Sequence, residues 1–122
     1  MRFLLLLAFS IASVANAQDF CEVIKGASIV ANDGKYLGKL TSQYDSESVF
    51  NQYGTYGSQY SSDSIWNQYG SYGGEYSSNS PFNKYTSSPP VIIKRGKTIG
   101  YLTANKSLPN AVHPFMVKSC DF

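Results

Sequence analysis

The sequence predicts a mainly β fold: a small sheet, sandwich or partly closed barrel that carries an inserted repeat of short helical turns and loops. Three observations predict this class. A sixteen-residue unit rich in Tyr, Ser, Gly and Asn occurs three times within residues 44–90. Two segments that share the frame Gly-Lys-x-aliphatic-Gly-x-Leu-Thr flank it, at 34–41 and 96–103. Beyond residue 17, no apolar period of helical spacing extends over a useful length.

Residues 1–17 predict a signal peptide. Arg2 supplies the positive end, residues 3–14 form an apolar run, and Ala15-Asn16-Ala17 fits a cleavage site. The run is shorter than the ~20 residues that a membrane span needs. We therefore expect a protein exported to the periplasm or the extracellular space. Its mature chain would be one small domain at 18–122, with no membrane span and with the repeat insertion at 44–90.

Each flanking frame predicts a β-hairpin, because a β-branched run precedes it. Asp33-Gly34 and Arg95-Gly96 predict tight two-residue turns, since such turns require positive φ. Gly38 and Gly100 fall inside the returning strands, where a glycine indicates a bulge or a close backbone approach. The matching frames predict that both hairpins belong to one sheet.

Two more strands, at 20–25 and 115–118, would raise the total to about six. Strand alternation and residue type then predict the core. The predicted core residues are Val23, Ile24, Ile29, Val30, Leu37, Leu40, Val91, Ile92, Ile93, Ile99, Leu102, Phe115 and Val117.

The two cysteines, Cys21 and Cys120, stand near the two ends of the predicted mature chain. An even number of cysteines in an exported chain favours a disulfide. Two free thiols are the alternative. Two sulfurs and one histidine are too few ligands for a zinc site.

The charge balance excludes some partners. The chain has ten Lys and Arg, of which Arg2 lies in the signal peptide, against eight Asp and Glu. Such a balance creates no long-range attraction to nucleic acid or to an anionic membrane. We therefore expect no nucleic-acid partner, and the oligomeric state stays open.

The repeat has the frame Tyr-x-Ser-x-Ser-apolar-aromatic-Asn-x-Tyr, followed by Gly-x-Tyr-Gly in the first two copies. We expect one helical or 3₁₀ turn per copy, capped by a serine oxygen and ended by a left-handed glycine. The capping serines would be Ser46, Ser62 and Ser78, and the glycines Gly54 and Gly70. Asn51, Asn67 and Asn83 would bond the backbone in the corner that follows. The apolar–aromatic pairs at 49–50, 65–66 and 81–82 would face the sheet.

These motifs resemble those of a group of short exported bacterial proteins. That group has Asn-x-Tyr-Gly-x-Tyr-Gly-Ser-x-Tyr repeats between Gly-Lys-x-x-Gly-x-Leu segments, and the resemblance covers roughly residues 29–105. In many of its members proline stands where this chain has Ser46, Gln52, Ser62 and Gln68. The resemblance implies export, but it implies no particular activity and no functional residue.

The residues do not predict a catalytic, metal or cofactor site. His113, the only histidine, stands between Val112 and Pro114 without a specified nucleophile. Asp45, Glu47 and Asp63 lack the acidic spacing of a calcium loop. Glu47 also aligns with Asp63 and Asn79 in the other copies, as a turn position would. A small hydrolase that uses these carboxylates remains the alternative function.

The tyrosines and amides of the repeat carry the functional prediction. Aromatic faces beside Asn and Gln side chains are typical of a groove that binds glycans. The candidate binding residues are Tyr53, Tyr56, Tyr69 and Tyr72. We expect a non-catalytic binding or structural module whose partner is a cell-surface polysaccharide or an envelope protein. A purely structural role in an envelope or matrix is a further alternative, in which most of the tyrosines pack the copies together.

Overall fold

A computed structural model describes residues 20–122. The predicted signal peptide lies outside these residues. The described chain forms one open, mixed five-stranded sheet in the order β2-β1-β3-β4-β5, which is not closed into a barrel. The mainly β class is therefore confirmed. The elements are α1 (20–24), β1 (Ser28–Val30), β2 (Tyr36–Lys39), β3 (Val91–Lys94), β4 (Lys97–Leu102), β5 (Ala111–Val112) and α2 (Pro114–Lys118).

The two hairpins meet through their first strands, since β1 pairs antiparallel with β3. This confirms that both belong to one sheet. The second hairpin has the predicted two-residue turn, in which Arg95 and Gly96 have φ of 54° and 78°. The first turn is longer than predicted. Residues 31 and 35 are hydrogen-bonded across a three-residue loop, 32–34, and Gly34 takes the left-handed position that closes such a loop.

Gly38 and Gly100 lie at the predicted irregularities. The register of each hairpin shifts beside its glycine. A Cβ on Gly38 would lie 2.8 Å from the Glu47 carbonyl oxygen, and one on Gly100 would lie 3.0 Å from that of Asn110. In both cases a parallel segment runs along the strand: β5 beside β4, and the bridge at Ser48 beside β2. The glycines therefore allow equivalent backbone approaches in the two halves of the sheet.

The two segments predicted as end strands are helical instead. At α2, Pro114 occupies the first turn and the His113 Nδ1 atom accepts the Phe115 N–H at 3.1 Å. A proline at the first helical position and a capping side chain before it are helix-start signals, and they outweigh the apolar content of 115–118. At α1, the Lys94 Nζ atom donates to two backbone carbonyls, those of residues 22 and 23.

The disulfide between Cys21 and Cys120 is present, as predicted, with 5.6 Å between the Cα atoms. It joins α1 to the residues that follow α2. Because the two cysteines are 99 residues apart in sequence, the bond closes nearly the whole described chain into one loop.

The repeat region is an unbroken series of β-turns from Ser42 to Thr86, which we call the turn ribbon. In each turn the N–H of residue i+3 donates to the carbonyl oxygen of residue i, and that donor residue begins the next turn. Four steps of three residues and one step of four make up each sixteen-residue copy. The structure thus differs from the single helical turn per copy that the sequence predicts.

Side chains at the first position of each turn stabilise the turn ribbon. Each turn begins with Ser, Asp, Asn or Gly. Wherever this residue has a side chain, its oxygen accepts the N–H two residues later, for example from Phe50 to Ser48 at 3.0 Å and from Tyr69 to Asn67 at 3.1 Å. The predicted capping residues Ser46, Ser62 and Ser78 are instead exposed second residues of turns. Gly54 and Gly70 begin turns and do not have positive φ.

The asparagines bond the backbone as predicted, and each joins two turns. Besides its own turn bond, the Nδ2 group of Asn67 donates to the carbonyl oxygen of Ser61 at 3.0 Å. Asn51 and Asn83 make the same pair of contacts in their copies. The backbone of each of the first two copies packs tightly on itself at its second glycine, Gly57 or Gly73. A Cβ there would lie only 2.1 or 2.3 Å from an asparagine carbonyl oxygen.

Each copy of the turn ribbon places one fully buried side chain in the core: Val49, Ile65 and Pro81. Val49 N–H donates to the Lys39 carbonyl beside β2, and the Pro81 carbonyl accepts the Ala104 N–H beyond β4. The predicted core is correct for Ile24, Ile29, Leu37, Leu40, Ile92, Leu102 and Val117. It is wrong for Val23 and Phe115, which are exposed because the helices turn them outward.

Candidate binding site

A row of aromatic rings lies along the turn ribbon beside α2. Phe50, Trp66 and Phe82 each stand at the third position of the turn whose second residue is buried in the core. Their ring centroids are 6.5 Å apart from Phe50 to Trp66 and 5.7 Å apart from Trp66 to Phe82. Phe122 and Phe115 flank the row. The three rings are half-buried, so one part packs on the protein and another part faces solvent.

Two further rows are formed by exposed tyrosines, again at third positions of turns. One row holds Tyr53, Tyr69 and Tyr85, and the other holds Tyr44, Tyr60 and Tyr76. All six side chains are between 79% and 97% exposed. The sixteen-residue period therefore places the same ring at the same surface position in every copy.

A groove lies between the first and the second copy. Phe50 and Trp66 form its floor, and Tyr53, Tyr60, Gln52 and Gln59 lie around it. Its volume is about 800 Å³. Lys118 of α2 reaches this groove, with its Nζ atom 5.1 Å from the centroid of the Trp66 ring. We call it the first groove.

An equivalent groove lies between the second and the third copy. Its volume is about 770 Å³, and its floor is formed by Trp66 and Phe82. Tyr69, Tyr76 and Gln68 take the places that Tyr53, Tyr60 and Gln52 have in the first groove. Glu75 stands where the first groove has Gln59. In this second groove, the same aromatic and amide chemistry recurs one repeat further along.

Trp66 belongs to both grooves. Its indole Nε1–H donates to the Val49 carbonyl oxygen at 2.5 Å, which fixes the ring against the preceding copy. Its ring also stacks at 6.5 Å on Phe115 of α2. Because these contacts hold the ring from two sides, the shared floor is rigidly positioned.

Of the four predicted binding tyrosines, only Tyr53 and Tyr69 line the grooves. Tyr56 and Tyr72 are half-buried against the first hairpin rather than exposed. The Tyr56 ring lies edge-on to Tyr36 at 5.2 Å, and the Tyr72 hydroxyl donates to the Asp33 carboxylate at 2.8 Å. These two tyrosines attach the turn ribbon to the sheet.

The contacts at the first hairpin shift the pKa values of three side chains. The backbone N–H of Lys35 and the Tyr72 hydroxyl lower the pKa of Asp33. The Asp33 hydrogen bond in turn raises the pKa of Tyr72. Burial, together with a 2.5 Å hydrogen bond to Glu47, raises the pKa of Tyr36. All three shifts favour the protonation states that keep these hydrogen bonds intact at neutral pH.

The three carboxylates of the hydrolase alternative have structural partners. Glu47 accepts the Tyr36 hydroxyl, and Asp45 accepts the Glu47 N–H within its turn at 2.8 Å. Asp63 lies 3.4 Å from the Lys35 ammonium. Neither groove is lined by these residues. The contacts assign all three carboxylates to the packing of the turn ribbon.

Other chemistry-bearing residues are placed as follows. His113 caps α2, with its ring stacked at 5.3 Å on Phe115. Within residues 20–122, no three His, Cys, Asp or Glu side chains come together as metal ligands would. In the same part of the chain, none of the helices has the length and apolar character needed to cross a membrane.

Comparison of the chain with protein-family models, with curated proteins and with solved structures gave no match. Sequence reasoning missed Tyr60, Tyr76 and the glutamines of the grooves. The signal for them was a period of three inside the period of sixteen: a turn-forming residue is followed two positions later by an aromatic one.

Proposed function

We propose that this protein is an exported, non-catalytic module that binds a cell-surface polysaccharide or an envelope protein through the tyrosines of its turn ribbon. The observation that carries the proposal is the pair of equivalent grooves between successive copies. A packing role alone does not require Tyr53, Tyr60, Tyr69 and Tyr76 to present 84–97% of their surface to solvent.

The chemistry of the grooves supports binding. Large aromatic side chains dominate the energetics of recognition, because they bury much area at little conformational cost. Here they surround half-buried rings that are already ordered by the core. Such a preorganised site loses little entropy when a ligand binds. The glutamines add hydrogen-bond donors and acceptors that can orient a polar ligand.

Export is supported by two independent features. Residues 1–17 have the pattern of a signal peptide. The Cys21–Cys120 disulfide lies in the described part of the chain, and such bonds form and persist in oxidising compartments. The resemblance to short exported bacterial proteins agrees with this location.

A binding test on the purified mature chain examines the function. Immobilised polysaccharides and isolated envelope fractions would be incubated with the protein, and mass spectrometry would follow any cleavage of the captured material. We expect retention without product. Release of product would instead support the hydrolase alternative.

Matched variants test the role of the tyrosines. Tyr53→Ala with Tyr69→Ala should abolish retention, because both rings line the grooves. Tyr85 has the same repeat position and is 79% exposed, but it lines neither groove. Tyr85→Ala should therefore bind as the parent protein does. Equal loss in both variants would contradict the proposed site.

A further inference from the structure

We propose that the two grooves are consecutive subsites for a single uncharged, linear polysaccharide chain, with Trp66 as the platform that both subsites share. This inference rests on the proposed function and narrows its ligand class. It adds two features that the function alone does not require: one ligand chain occupies both grooves, and the ligand has no net charge.

The geometry indicates one continuous ligand. The grooves are one repeat apart and are both lined by Trp66, so one chain that lies across this residue would enter both. Along the row the ring centroids follow each other at 6.5 and 5.7 Å. This spacing is comparable with the length of one sugar ring in an extended chain.

The recurrence of identical chemistry favours a glycan over a protein partner. A floor ring, two tyrosines and a glutamine repeat from the first groove to the second. A homopolymer offers the same unit at each step and can satisfy both grooves in one register. An ordinary protein surface does not repeat its side chains in this way, so only one of the grooves would fit it.

The side chains match the two surfaces of a sugar ring. The C–H faces of a pyranose are apolar and stack on aromatic rings such as Trp66 and Tyr69. Its equatorial hydroxyls need donors and acceptors in the ring plane, which Gln52 and Gln68 supply. The asparagines of the same copies are occupied by backbone hydrogen bonds, which leaves this task to the glutamines.

The charges indicate an uncharged polymer. The first groove contains the ammonium group of Lys118, and the second contains the carboxylate of Glu75. A polyanion that crossed both grooves would meet Glu75, and a polycation would meet Lys118. Like-charge contacts of this kind oppose binding. A chain without net charge satisfies both grooves at once.

Affinity electrophoresis of the mature protein provides the first test. The gels would contain the uncharged, largely linear polymers dextran or laminarin, with alginate and chitosan as charged comparators. We expect retardation by at least one uncharged polymer and by neither charged one. Tyr53→Ala and Tyr69→Ala should each weaken binding about tenfold, as the loss of one aromatic contact does. Tyr85→Ala is the matched control and should not change it.

Calorimetry with oligosaccharides of the retarding polymer tests whether one chain spans both grooves. Because the grooves share Trp66, each protein chain should bind one oligomer at every length, and the affinity should rise with length until both grooves are filled. Tyr53→Ala combined with Tyr60→Ala should remove this gain, so that a long oligomer binds no better than a short one. Equal affinity at every length, or a gain that this substitution leaves unchanged, would overturn the shared-chain model.

The outcomes separate this inference from the proposed function. Polysaccharide binding that the groove substitutions leave unchanged overturns the subsites, but it leaves a glycan-binding function in place. Retention of an envelope protein without any uncharged polysaccharide overturns the inference alone. Retardation by only alginate or chitosan also overturns it. If neither polysaccharides nor envelope fractions are retained, both proposals fail.

Discussion

The place of a residue within a turn decides its role in the turn ribbon. First positions hold Ser, Asp, Asn or Gly, which accept the N–H of the third residue or tolerate tight backbone contact. Among second positions, Val49, Ile65 and Pro81 enter the core. Third positions hold nearly all the aromatic residues. Three chemically distinct surfaces therefore arise from a step of only three residues.

Trp66 is expected to be the aromatic residue of the turn ribbon whose loss costs most. Trp66→Ala removes a hydrogen bond and contacts to three rings. The side chain is half-buried, so we expect a loss of about 3 kcal/mol, the low end for such truncations. The melting temperature should fall by more than about 10 °C. A thermal scan beside the exposed control Tyr85→Ala measures this, and equal midpoints would contradict the packing role.

We expect the folded protein to lose stability in alkali when the Tyr36 hydroxyl ionises. Burial and the bond to Glu47 raise its pKa in the folded state above the ordinary value of about 10. The stabilisation is thus complete below about pH 10 and is lost as the pH rises toward the folded-state pKa. Tyr36→Phe should flatten the decline of the unfolding free energy above about pH 10, measured by urea titration. An unchanged slope in Tyr36→Phe would disprove the assignment.

As an element, the turn ribbon pairs with a strand at the Ser48 bridge to β2 and otherwise satisfies its backbone mainly within its own turns. Each turn has a backbone bond, turns that do not begin with glycine add one side-chain acceptor, and the asparagines join turns within each copy. Close backbone packing at Gly57 and Gly73 joins turns within a copy, whereas the Trp66 hydrogen bond to Val49 joins two copies. The ribbon can therefore lie over a small sheet and supply core residues while its outer side remains polar.

The tight backbone packing at Gly57 and Gly73 can be tested, because the neighbouring Gly74 provides a control. Gly73→Ala would place a Cβ 2.3 Å from the Asn67 carbonyl oxygen, so the backbone must move. We expect a loss of at least about 1–3 kcal/mol. Gly74→Ser copies Ser58 of the first repeat and should cost less than about 0.5 kcal/mol. Urea unfolding of both variants decides this, and equal costs would show that the close approach is not important.

Sequence reasoning predicts the hairpins better than the turn ribbon. Gly38 and Gly100 allow a close backbone approach, and a glycine inside a predicted strand indicates such an approach from the local sequence alone. The turn ribbon depends on which of several serines begins a turn, and Ser46 and Ser48 are equivalent by residue type alone. The step of three decides in favour of Ser48. Position 46 is then a second residue, where type I turns favour proline.

The candidate site likewise has some residues that local sequence predicts and others that it does not. Tyr53 and Tyr69 were predictable as exposed, because they follow an asparagine that begins a turn. Tyr56 and Tyr72 belong to the four-residue step, which rotates them toward the first hairpin. No local pattern reveals this, because the contact with Asp33 spans 39 residues. The grooves likewise form only when separate copies pack side by side.

At the scale of the whole molecule, two similar halves hold the turn ribbon between them. Each half consists of a hairpin with a glycine bulge and a parallel segment along its second strand. The ribbon starts at the edge of one half and returns to the end of β4 in the other. The two ends of the described chain then meet at the disulfide, which holds α2 and its Phe115 ring beside the grooves.

Removal of the disulfide should therefore weaken the whole domain. Bridging residues 99 apart restricts the unfolded chain and stabilises the fold by up to about 4.7 kcal/mol in the loop-entropy model. In the variant Cys21→Ser with Cys120→Ser, the urea midpoint should fall. The dependence of the unfolding free energy on urea should steepen, because a chain without the cross-link exposes more surface when it unfolds. Reduction of the parent protein should reproduce both changes, whereas an unchanged midpoint would show that packing of α1 and α2 alone holds the ends together.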